Sequence, residues 1–355
     1  MTNTETSASL TIASSSKTLA GEPKGRTGMA RLLLSRDATM IYLLLGTVIL
    51  FSAFVPRFAS PVTVGFLLLD VIPVLLIAMP MTLIVITGEI DLSVASIAGL
   101  TSASLGVMWG AGFDMPVAIG LSIIIGLVAG AFNGVLISFV GLPSLAVTIG
   151  TLALFRGLAL VVIGDNAVAN FPPEYNAFFT SKLGATGIPT VMIGVVLIIA
   201  IFGVLLHFTP FGRGLYAMGY SKEAANFVGI DVLKSKFWLF VASGGVSALA
   251  GVYWTLRYSS ARSDNASGLE LTVVAAVLLG GVSIFGGKGS IPGVFAGVML
   301  IGTINYALRL GRVSDVVRII VTGALLIASV VAPSIGAAIK RIAHDRRIRK
   351  ELPGS

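Results

Sequence analysis

Residues 62–87 read VTVGFLLLDVIPVLLIAMPMTLIVIT, with Asp70 as the only charged side chain. The run is longer than the roughly 20 residues that carry a helix through a hydrocarbon layer. It also lacks the regular alternation of apolar and polar residues that a barrel strand needs. It reads as a helix that crosses a membrane. Met40 to Val55 and Pro189 to Leu206 repeat the pattern. Composition agrees, because 55% of the 355 residues are hydrophobic and 11% are charged, against roughly a quarter charged in soluble domains.

Carried along the chain, this reading predicts an all-α, polytopic transmembrane helical protein of about ten spans, at 40–56, 62–87, 92–110, 115–139, 143–163, 189–207, 235–255, 270–284, 291–308 and 314–332. Residues 1–37 are rich in Ser and Thr, contain Lys17, Lys24, Arg26, Arg31 and Arg36, and have no apolar periodicity, as expected of a disordered cytoplasmic tail. A signal peptide is the rival reading. The apolar stretch is longer than an h-region, however, and ends at Pro56-Arg57 without a small-residue cleavage site. Residues 38–333 form the transmembrane domain, and 334–355 a basic cytoplasmic tail.

The net charge of +8 points to the bilayer rather than to nucleic acid, since the basic residues cluster at the chain ends and in one long loop. Ten spans put both termini on one side. That side holds sixteen of the 24 Lys and Arg: five in the N-terminal tail, Arg213, Lys222, Lys234 and Lys236, Lys288, and six in the C-terminal tail. Basic residues are retained in the cytoplasm, so both termini are expected there, with the chain in a bacterial inner membrane.

Two loops do more than turn the chain. The outer one, 164–188, contains Phe171, Pro172, Pro173, Tyr175, Phe178 and Phe179, suited to a rigid cap or simply to an interfacial aromatic belt. Span starts at 92, 115 and 143 resemble those at 270, 291 and 314. The offset of five spans would invert the second set, as in the inverted repeats of transporters.

The inner loop, 208–234, contains GRGLYAMGYSKEAANFVGIDVLKSK. Glu223, Ala224 and Ala225 favour a short helix, Phe227 offers an apolar knob, and Gly229 is placed where a helix ends in a left-handed turn. A short surface helix of this kind fits a groove on a soluble partner. The alternative is a solvated amphipathic loop.

This pattern resembles the coupling motif, Glu-Ala-Ala with a later glycine, of the permease subunits of ATP-binding-cassette (ABC) importers. TGEIDLSVAS at 87–96, TIGTLALFRG at 148–157, ARSD at 261–264 and LLGGVSIFGGKGSIPG at 278–293 are similar to its ribose, rhamnose and autoinducer-2 branch. Together they cover most of residues 40–332. Glu89 and Ala95 stand where that branch usually has Gly, and Ile149 where it has Leu. The ARSD stretch and the glycine-rich run look closest to autoinducer-2 and rhamnose members. The resemblance implies a type II ABC importer permease-like fold and import of a monosaccharide or similar solute. It also implies two ATPase subunits, a second permease subunit, identical or related, and a solute-binding protein outside. Glu223, Ala224, Ala225, Phe227 and Gly229 would then couple the chain to the ATPase.

Polar groups within apolar surroundings mark the path candidates: Asp70, Glu89, Asp91, Ser93, Ser96 and Arg156. Asp91 reads equally as a helix N-cap or as part of a bend in the pathway wall. Arg156 either snorkels to the outer interface or pairs with Asp70. Asp315 and Arg318 form a local helix pair.

Lys288 is followed by Gly289 rather than Ser or Thr, so the glycine-rich run is no phosphate loop, and ATP is expected on partner subunits with no cofactor on this chain. Its glycines, with Gly293 and Gly297, read as close helix packing. There is no cysteine, and His207 and His344 lie far apart, so neither a metal site nor a catalytic constellation is expected. A secondary transporter driven by an ion gradient is the nearer alternative, and a membrane-embedded enzyme the more distant one.

Overall fold

A computed structural model describes residues 36–184 and 186–331. Its helices are α1 (Arg36–Phe54), α2 (Pro61–Ile86), α3 (Val94–Gly110), α4 (Met115–Ser138), α5 (Ser144–Ile163), α6 (Pro173–Thr180), α7 (Met192–Phe208), α8 (Pro210–Tyr220), α9 (Lys222–Phe227), α10 (Val232–Tyr258), α11 (Leu269–Leu279) and α12 (Ile291–Leu310). A further helix, α13, runs over 315–331. The described residues form no strand, only isolated bridges that join Val168 to Ala261 and Lys182 to Pro189.

A helix stands at each of the ten predicted positions. Among the described residues α1, α2, α4, α5, α10 and α12 are each long and apolar enough to cross a membrane, with a seventh span if α7 and α8, bent by 68°, count as one. The supported count is thus six or seven. α11, expected over 270–284, stops at Leu279 because Gly280 and Gly281, the latter at φ +92°, close it. Arg36 and Asp37, assigned above to the tail, are the first turn of α1. The remainder of both predicted tails lies outside the described residues.

The 208–234 loop carries the expected short helix, α9, and also α8, which was not expected. Thr209 caps α8 by accepting from the Gly212 amide, and Pro210 opens it. Gly212, Gly214 and Gly219 lower its intrinsic propensity, which is why composition alone suggested a loop there.

α2 is the central helix. Every residue from Val71 to Ile86 is buried, and it packs against α7, α8, α10, α11 and α12. Peripheral helices instead expose large apolar side chains such as Ile49, Val128, Val161 and Leu197, as a lipid environment allows. Where helices meet, small residues let backbones approach. A Cβ on Gly130 of α4 would lie 2.3 Å from the Phe240 carbonyl of α10. Gly293 and Gly297 show the predicted close packing, a Cβ there lying 2.3 Å from the Gly280 and 2.4 Å from the Ala276 carbonyl oxygen of the α11 strip.

Helix termini gather at two ends. At one, the 87–93 linker meets α5, α8, α9 and the 283–289 turn: the Gly287 amide donates to the Ile86 carbonyl and the Tyr216 hydroxyl to that of Gly289. At the other, α6 folds over the end of α10, where Asn176 Nδ2 donates to the Arg257 carbonyl at 2.6 Å and Phe179 packs on Tyr253.

Candidate coupling and transport site

The 87–93 linker joins two buried helices and must satisfy its own backbone. Side chains of α5 and α3 do so in part, and α10 and α4 hold the linker's own side chains. The Ile90 amide donates to Ser144 Oγ at 3.2 Å and Thr148 Oγ1 donates to the Ile90 carbonyl, both on α5. Asp91 is fully buried. Its Oδ1 accepts from the Ser93 amide (3.0 Å) and hydroxyl (2.6 Å), and its Oδ2 from Ser243 Oγ of α10 (2.8 Å). Asn133 Nδ2 of α4 donates to Ser93 Oγ at 2.8 Å, and Ser96 Oγ to the Ser93 carbonyl. Asp91 therefore sits just ahead of α3 while Ser93 is the N-cap, so the expected capping role for Asp91 is corrected to an aspartate turn around the cap residue. Burial raises the Asp91 carboxyl above its ordinary range, the hydrogen bonds from Ser93 and Ser243 opposing that in part.

Glu89, two residues earlier, has charged partners. Lys222 Nζ, at the first residue of α9, lies 2.7 Å from Oε1, and Lys236 Nζ of α10 lies 2.5 Å from the same oxygen. Burial favours the neutral acid here, but hydrogen bonds from Lys222 and Lys236 outweigh it and hold the carboxyl below its ordinary range. Burial likewise opposes the charge on Lys222, and Glu89 more than offsets it, raising that pKa.

α9 itself has six residues, too few to be stable without anchors. Ser221 Oγ caps it through the Ala224 amide at 3.1 Å. Ala225 turns inward and is buried, whereas Phe227 is 92% exposed. Gly229 follows the helix at φ +86°, the left-handed turn that its position predicted.

At the opposite end Asp70 is clasped by Arg257 Nη2 of α10 and by Arg309 Nη1 of α12, the latter at 3.0 Å. The Arg257 guanidinium lies 4.6 Å from the Tyr258 ring centroid, within cation–π range. Asp70, Arg257, Tyr258, Tyr306, Arg309 and Arg312 are among the residues that line a cavity of about 510 Å³. A smaller one of about 140 Å³ shares Asp70, Tyr306 and Arg309 and adds Asn305 and Arg318. Asp315 and Arg318 form the predicted local pair.

Arg156 does not reach Asp70. Its Nη1 donates to the carbonyls of Ser263 (2.8 Å) and Asn265 (2.9 Å), tying α5 to the ARSD loop. The physical reason is packing, which sets Arg156 against these loop carbonyls and brings Arg257 and Arg309 to Asp70. Of the six path candidates, then, Asp70 lines both cavities, Glu89, Asp91, Ser93 and Ser96 meet in the buried linker network, and Arg156 braces a loop. Sequence reasoning did not single out Arg257, Arg309, Lys222, Lys236, Ser243 or Asn133 as their partners. The available signal was the presence of basic residues near both ends of α10, opposite in sign to Asp70 and Glu89.

Among the described residues no group of His, Asp and Glu could hold a metal ion. Apolar helices around a buried polar linker, a bent helix pair ending in a short exposed helix, and a charged cavity at the far end define a polytopic membrane permease. The chain belongs to the branched-chain amino acid transport system / permease component family, whose model matches residues 63–330. It is 32% identical over 311 residues to the autoinducer 2 import system permease protein LsrD of Klebsiella pneumoniae, covering 86% of this chain and 93% of that one. Identity to the ribose import permease protein RbsC of Bacillus subtilis is 39% over 283 residues, covering 80% and 88%. No solved structure matches the chain.

Proposed function

We propose that this chain is the membrane-spanning subunit of an ABC importer that carries a monosaccharide or sugar-like solute of the autoinducer-2, rhamnose or ribose kind into the cytoplasm. ATP is hydrolysed by separate subunits. The observation that carries this reading is α9: a capped, six-residue helix with one face packed inward through Ala225, an aromatic side chain projecting outward at Phe227, and a left-handed glycine stop. Among the described residues nothing covers Phe227, whereas a groove on an ATPase subunit would bury it. Glu223, Ala224 and Gly229 shape the plug.

In this reading the α9 end and both tails are cytoplasmic, and the Asp70 cavity opens outward, where a binding protein releases its solute. Asp70 touches the path, while Glu89, Asp91, Ser93 and Ser96 support its wall. A second permease subunit completes the pore.

Co-expression with an ATPase subunit and reconstitution in vesicles tests the proposal. A stable complex with uptake that requires ATP is expected. Gly229→Val should abolish substrate-stimulated hydrolysis while insertion survives, because a β-branched residue resists positive φ. Uptake by the lone chain driven by an ion gradient would replace the importer with a secondary transporter.

A further inference from the structure

We infer that Glu89 is the positioning residue for the coupling helix: with Lys222 and Lys236 it forms a charge latch that transmits motion between α9 and the buried linker of the bundle. The inference rests on the proposed role of α9 and adds the route by which its movement reaches the spans.

A short helix on the surface moves independently unless something stiff connects it to the core. α9 has only two inward anchors, the buried Ala225 and Lys222 at its first residue. Ala225 supplies one methyl group, which locates the helix but resists rotation weakly. Lys222 supplies a charge-assisted hydrogen bond of 2.7 Å to a carboxylate whose side chain is 8% exposed, the stronger and more directional kind of contact. The carboxylate end of the pair is buried, while the Lys222 side chain is 43% exposed and water screens it in part.

Glu89 is also tied elsewhere. The same oxygen receives Lys236 from α10 at 2.5 Å. Two residues on, Asp91 receives Ser243, also from α10, two helical turns beyond Lys236. The linker thus grips α10 at two heights, while Ser93 reaches α4 through Asn133. A displacement of α9 is relayed through Lys222 to Glu89, and from there to α2, α3 and α10 together. Removal of Lys222 leaves the Glu89–Lys236 pair, so the buried carboxylate keeps a cationic partner and loses only the link to α9.

The decisive experiment uses the lipid-embedded complex of permease, ATPase subunits and companion binding protein. It measures basal ATP hydrolysis, its stimulation by binding protein, and the mobility of a nitroxide at Asn226→Cys. Lys222→Met should leave basal hydrolysis within about twofold, cut stimulation by roughly fivefold or more, and loosen the nitroxide, while Lys222→Arg restores all three. Lys222→Met added to Glu89→Gln should cause no further loss, since both act through one contact. Wild-type stimulation and mobility in Lys222→Met, or fully additive losses, would overturn the latch. Phe227→Asp separates the two levels. If it uncouples the complex while Lys222→Met does not, the latch alone is wrong; if Phe227→Asp is fully coupled, the docking reading falls and the latch with it.

Discussion

The carboxylates of Glu89 and Asp70 solve the same problem at opposite ends of the bundle, and they solve it differently. Each is held between two cations from helices far away in sequence. Glu89 has an 8% exposed side chain and lines neither cavity, whereas that of Asp70 is 25% exposed and lines both. A buried charge cluster away from both cavities is placed to hold or transmit rather than to touch a solute. A cluster beside open space can exchange its partners with one. Charge pairing alone therefore does not identify a transport site; pairing together with a cavity does.

The largest way to break this contrast is Asp70→Ala, which leaves the nearly buried Arg257 without its carboxylate. Loss of one partner from such a pair costs about 3 kcal/mol, and a lower melting temperature in detergent with uptake below about a tenth is expected. Normal uptake would detach the cavity from the path. Next comes Gly219→Ala at the other end. Its Cβ would lie 2.0 Å from the Ile86 carbonyl oxygen and 2.2 Å from the Gly287 nitrogen, so overpacking of about 2 kcal/mol should loosen α8 from α2. Faster proteolysis of the α8–α9 segment would record it, with the Asp70 cavity unaffected.

Asn176→Ala sharpens the Asp70 end, since it removes donors to the carbonyls of Leu256 and Arg257. About 1 kcal/mol is expected, seen as quicker thiol labelling at an introduced Glu174→Cys on α6. Protection unchanged from wild type would mean that aromatic packing alone seats the cap. The smallest effect belongs to Asp91→Asn. Asn keeps an acceptor for the Ser93 amide, and its amide group can donate to Ser243, whose hydroxyl reverses; less than about 1 kcal/mol should be lost and most uptake kept. Uptake abolished in a fully assembled Asp91→Asn complex would move Asp91 from the wall into the path.

Much of the fold is legible because lipid imposes it. The run 62–87 has to be a helix, since its backbone groups find no water, and the observed α2 covers Pro61–Ile86. Local chemistry was equally readable at Gly229 and in the Asp315–Arg318 pair, where neighbours along one turn decide the outcome. α8 was missed because helix propensity is judged locally, while its glycines serve a distant contact: Gly219 exists for Ile86 and Gly287.

Sequence by itself determined the solvent, the long apolar helices and the candidate polar residues, since hydropathy and spacing act over a few turns. Only the tertiary structure decided which charges meet. Asp70 chose Arg257 and Arg309 over Arg156, and Glu89 drew Lys222 from 133 positions away. In a low-dielectric interior each buried charge takes the partner that packing brings within hydrogen-bond reach, and separation along the chain carries no information about that distance.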